Sequence, residues 1–141
     1  MNKRRLNKAI THQEALRLKT AKHEAARRRN PLNMFLTLHP DRMIDSPADV
    51  GLFARSVIRK LGQWFRNHRH HWWSLWVREN YDGQGREHLH LLIHVPHRLL
   101  AKFRKAVARW WPEKRTADLQ EVVDAADVLD YMLNPMTPQA A

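Results

Sequence analysis

Cysteine is absent from the 141 residues, so disulfides and thiolate metal sites are excluded. A long uninterrupted apolar run is missing too, which removes the usual signature of a membrane span. The opening "MNKRRLNKAITHQ" has charge but no hydrophobic centre, and so does not read as a secretory signal. A cytoplasmic protein is the expectation. Acids are scarce: 14 Asp and Glu face 25 Lys and Arg, giving a formal net charge of +11. That excess creates a positive field suited to a polyanion, of which nucleic acid is the commonest in a cell. An anionic membrane surface is the rival, and nothing in the chain supports insertion. Lys and Arg also vanish from Thr116 onward, where Asp118, Glu121, Asp124, Asp127 and Asp130 occur. Ten of the basic residues lie within positions 1–30. The polyanion is therefore expected at the front of the chain.

Periodicity and punctuation give an alternation of elements. Residues 6–29 read as a helix with a thin apolar stripe, stopped by Pro31, and suit a basic arm (1–31) that orders on binding. "NMFLTLH" (33–39) reads as a first strand between Pro31 and Pro40. A helix follows over 46–69, with Ser46 as its expected cap, Pro47 in its first turn, and Val50, Phe53, Val57, Ile58, Leu61 and Phe65 at core spacing. "WWSLWVREN" (72–80) and "GREHLHLLIHVP" (85–96) form a hairpin about a Gly-containing turn. A helix over 97–111, a strand over 117–123 and a last helix to about Asn134 complete the order. This predicts an α+β, ferredoxin-like (or RRM-like) β-α-β-β-α-β antiparallel sheet in residues 32–141, with an additional C-terminal helix.

Within the second hairpin strand, residues two apart share a face. Leu89, Leu91, Ile93 and Val95 form an aliphatic face, and His88, His90, Leu92 and His94 the other. Two imidazoles at this interval stand roughly 7 Å apart at the backbone and can converge on one ion. Pairing brings Glu79 beside His88 as a third ligand, and two imidazoles with one carboxylate leave much of an octahedral shell open for substrate. Glu79 shares its alternation with Leu75 and Val77, so a bulge or strong twist is expected there if those two face the core. Glu87 is the reserve candidate, although it points away from His88 in a regular strand. Five tryptophans, among them Trp76, Trp110 and Trp111, read as core more readily than as base-stacking platforms.

"VRENYDGQGREHLHLLIHVP" resembles the metal-site hairpin of the HUH endonucleases, above all the rolling-circle replication initiators of plasmids, phages and small circular single-stranded DNA viruses. "FLTLHP" (35–40) resembles that family's first-strand motif, and "DLQEVVDAADVLDYMLN" (118–134) its third, a strand followed by a helix bearing the nucleophilic tyrosine. The resemblance spans about residues 34–134. It implies His88 and His90 as ligands, Glu79 as the third, Mn²⁺ or Mg²⁺ as cofactor, and Tyr131 as nucleophile. Asn134 departs from the pattern, because the family commonly carries Lys three residues after the tyrosine. Arg78, Arg86 and Lys105 are candidate cations near the DNA, His94 and Thr37 candidate contacts, and His39 borders the same face.

The implied reaction is nicking and joining of single-stranded DNA through a 5′-phosphotyrosyl link, initiating rolling-circle replication of a plasmid or phage in a bacterial host. The implied partners are single-stranded DNA at an origin or hairpin, with a host helicase and polymerase. A single-tyrosine transposase of the same superfamily has a similar strand and length. Two other classes stand beside these: a catalytically degenerate nucleic-acid-binding module, and an iron oxygenase using two histidines and a carboxylate. The oxygenase has no evident use for so basic a chain.

Overall fold

The structure, a computed structural model, describes residues 12–27, 30–43, 45–80 and 87–122. In chain order the elements are α1 (His12–Arg27), β1 (Met34–Leu38), α2 (Val50–Asn67), β2 (Ser74–Asn80), β3 (Glu87–Ile93), α3 (Leu100–Trp110) and β4 (Ala117–Glu121). The four strands make one antiparallel sheet in the order β2-β3-β1-β4. This is the expected β-α-β-β-α-β arrangement, in which β1 and β3 occupy the centre. The last predicted helix, with Tyr131 and Asn134, lies outside the described residues, as does Arg86 in the hairpin turn.

Sequence alternation sorts the sheet into two faces. Met34, Leu36, Leu38, Leu89, Leu91 and Ile93 face α2 and α3, which supply Ala54, Val57, Leu61, Phe65, Phe103, Ala106 and Val107 to one core. Leu75, Val77 and Leu92 point the other way and form a second core with Ala25 and Leu32, flanked by Leu18, Ala21 and Phe35. That second core corrects two expectations. The thin stripe of α1 is folded against the sheet, because small Ala21 and Ala25 allow close approach beside Leu18. The β2–β3 ladder is also regular, pairing Leu75 with Leu92, Val77 with His90 and Glu79 with His88. The bulge expected near Glu79 is therefore not needed: Leu75 and Val77 have an apolar cover on the same face as Glu79.

The ends of α2 differ from the expectation in an instructive way. Asp49, not Ser46, caps the helix, its side chain accepting from the Leu52 amide at 3.1 Å. Ser46 instead donates to the Pro40 carbonyl at 3.3 Å. The helix closes with the Arg69 amide on the Arg66 carbonyl and the His70 amide on the Phe65 carbonyl, both at 3.0 Å. That pair of bonds is a Schellman motif, and it holds Arg69 at φ 57°, a conformation usually given to glycine. At the start of α3, Pro96 is followed by a single 3-10 turn, His97–Leu99. Trp111 is buried beyond the helix end, while Trp110 is only partly covered.

Candidate metal centre

Three neighbouring strands build the site. On β3, His88 and His90 project to the face that carries the second core. On β2, Glu79 lies directly opposite His88. On β1, Thr37 lies directly opposite His90. One potential ligand atom from each of Glu79, His88 and His90 falls within 4.8 Å of the others. Glu79 Oε1 is 2.9 Å from His90 Nε2 and 3.6 Å from His88 Nδ1. Glu79 and His90 are 2% and 3% exposed, whereas the His88 side chain keeps 23% of its surface. The cluster is therefore walled on two sides and open at His88, the arrangement required of an ion that must also meet a substrate.

Electrostatics fit the geometry. Burial disfavours the charged form of Glu79, but the two adjacent imidazoles outweigh it and hold the carboxyl at about 2. Its second oxygen, Oε2, is buried with no hydrogen-bond partner. A buried carboxylate oxygen left unsatisfied is costly unless something cationic meets it. The donor set of two imidazole nitrogens and one carboxylate is one that binds first-row and hard divalent ions. The three residues can thus hold a metal ion.

Thr37 steadies this set. Its Oγ1 is 3.1 Å from His90 Nδ1. With a neutral imidazole, Nε2 donates to Glu79 and Nδ1 accepts from the hydroxyl. If Nε2 becomes a ligand, Nδ1 carries the proton and the same hydroxyl accepts it. Phe35 stacks on His90 with centroids 5.5 Å apart, fixing the ring plane. His39 meets His88 edge-on at 4.5 Å. Burial first, and then the neighbouring His88, lower the His39 pKa to about 4, and its Nδ1 is buried without a partner. His39 is thus a neutral imidazole beside the cluster. Its alternation with Thr37 on "FLTLHP" is the signal that puts it on this face, whereas nothing in the sequence marks Phe35 as a ring support.

The other candidates are dispersed. Arg78 points to the opposite face of the sheet and makes a bidentate pair with Glu87, which places the reserve ligand Glu87 away from the cluster. Lys105 is exposed on α3, also on the far side. His94 is buried beyond the end of β3, its Nδ1 2.8 Å from the Pro31 carbonyl and its ring 5.4 Å from that of His70. Of the residues proposed from sequence, Glu79, His88, His90 and Thr37 meet; Arg78, His94 and Lys105 do not join them.

Among the described residues, no helix is long and apolar enough to cross a membrane. No curated protein matches the chain, and no solved structure does. Comparison with protein families matches residues 33–139 to the replication-associated protein ORF2 family. That span contains β1, the Glu79/His88/His90 cluster and the Tyr131 segment, and covers well over half of the chain. On that match the chain belongs to the replication-associated protein ORF2 family.

Proposed function

We propose that the protein is a replication initiator of the HUH type, which nicks and rejoins single-stranded DNA with a metal ion and one tyrosine. The observation that carries this reading is the Glu79–His88–His90 cluster, half-open and holding an orphaned carboxylate oxygen, in a chain of a replication-associated family. In this reading Mn²⁺ or Mg²⁺ would supply a Lewis acid that draws charge from the scissile phosphate. Glu79, His88 and His90 hold it, Thr37 sets the His90 tautomer, and open His88 marks the side from which DNA arrives.

Tyr131 is the nucleophile in this account. Its phenolate oxygen forms a bond to phosphorus, the bond to the 3′ oxygen breaks, and that oxygen leaves as a hydroxyl after taking a proton from water. The phosphotyrosyl bond retains the energy of the phosphodiester, so a 3′-hydroxyl can reverse the step. Reach supports the assignment. β4 ends opposite Met34, and Val122 packs with Leu75, Val77 and Leu92 on the face of the sheet that carries the cluster. Nine further residues lead to Tyr131, about 13 Å if helical. Going back along β1 from Met34 to Thr37 takes about 10 Å.

A binding-only descendant is the second reading, favoured by Asn134 where a lysine would supply charge. Incubation with single-stranded origin DNA and Mn²⁺ separates the two. The initiator reading expects a covalent protein–DNA adduct that disappears with EDTA and in Tyr131→Phe. An adduct that survives Tyr131→Phe would contradict the role of that residue, and the absence of any adduct would favour the binding module.

A further inference from the structure

On the outer side of the helix layer, α2 and the last turn of α3 enclose an open groove of about 700 Å³. The sheet lies between this groove and the metal cluster. Arg59 and Lys60 reach it from α2 and Arg109 from α3, and no carboxylate is among its lining residues. Among the described residues, none of these three cations is ion-paired, although Arg78 and Arg104, elsewhere on the surface, are. The Lys60 ammonium stands 5.5 Å from the centroid of the Trp110 ring, and Trp110 is only partly covered, unlike buried Trp64 beneath it. Gln63 is tied at both ends of its amide, to Asn67 at 2.8 Å and to Arg66 at 2.7 Å, so one wall of the groove is ordered in advance.

We propose that this groove is a second nucleic-acid contact, taking a single-stranded DNA segment that flanks the one at the metal centre. Three unneutralised cations around an indole match the chemistry of an unpaired strand: phosphates meet the cations and a base stacks on the ring. A duplex offers no free base face to Trp110, and an apolar partner helix would bring three cations out of water without counter-charges. The sheet separates the two sites, so a short strand cannot fill both, and the groove holds DNA outside the nicked phosphate. The choice of DNA as occupant rests on the initiator reading, but the contact itself needs neither metal nor Tyr131.

The test is therefore made in EDTA with the full chain, by fluorescence anisotropy of a labelled oligothymidylate across a salt series. Replacing all three cations (R59Q/K60Q/R109Q) should weaken binding at least tenfold at low salt. It should also reduce the slope of log affinity against log salt by about 2, as expected for three lost phosphate contacts on a single strand. Trp110→Leu should weaken binding by roughly tenfold while leaving that slope unchanged. Circular dichroism confirms that both variants keep the wild-type fold. Wild-type affinity and slope in the folded triple variant would overturn the proposal. So would a variant that retains oligonucleotide binding but loses binding of a polyglutamate peptide, since that would make the groove a site for an acidic protein. Adduct formation fails or succeeds independently of this measurement, so the two readings fall separately.

Discussion

Thr37 is the residue whose contribution is most easily isolated. Its hydroxyl serves His90 in either tautomer, whereas valine of nearly the same shape serves neither. Removing such a partner typically weakens metal binding by about 10–100-fold, so Thr37→Val should lower Mn²⁺ affinity within that range in a calorimetric titration. Unchanged affinity would show that the hydroxyl does not support the site. His39 gives a second test at this scale. Its pKa is about 4 in the folded protein against an ordinary 6.5, because burial and His88 oppose its charge. Between those values the unfolded chain holds a proton that the folded chain lacks, so stability is full above pH 6.5 and falls as pH drops towards 4. Burial shifts His94 in the same direction. Urea midpoints of the metal-free protein, from about pH 7.5 to about pH 4, should decline less steeply in His39→Gln. An equal decline would assign the pH dependence elsewhere.

At the scale of elements, the hairpin is where sequence and structure agree most closely, and the reason is physical. A period of two on β3 determines which side chains share a face, and a short turn leaves one register in which Glu79 meets His88. What alternation cannot say is what covers each face. Leu75 and Val77 look like core residues, and they are, but in a second core under α1 that a stripe of alanines scarcely announces. Helix starts are blurred for a similar reason: Ser46 and Asp49 are both competent caps, and the contact of Ser46 with Pro40 decides between them. The close of α2 yields a prediction. Arg69 holds a left-handed conformation that disfavours a β-carbon by about 1 kcal/mol, so Arg69→Gly should raise stability by roughly 0.5–1 kcal/mol. Denaturant melts would contradict the Schellman assignment if the variant were destabilised.

For the molecule as a whole, the two layers divide the work. The face under α1 carries the metal cluster and the exit of β4, while the face under α2 and α3 carries the larger core and, on its outer side, the basic groove. The excess of +11 is legible in composition, but its partition between a site and a second groove is not, because Arg59, Lys60 and Arg109 come together only when two helices pack. An ion held by β2 and β3 also ties the edge strand to the sheet. Binding to the folded state alone at a hundredfold excess over Kd adds about 2.7 kcal/mol, so Mn²⁺ should raise the thermal midpoint by roughly 10 °C and EDTA should reverse the rise. A midpoint indifferent to metal would argue that the cluster is not a binding site.

The most direct measurement is the stoichiometry of Mn²⁺ bound to the metal-free chain, read by calorimetry or by the loss of free-ion paramagnetic signal. One ion per chain is expected in the wild type, with affinity at least tenfold lower in His88→Ala, in His90→Ala and in Glu79→Ala. Equal binding in the wild type and in all three variants would contradict the assignment of this cluster as the metal centre.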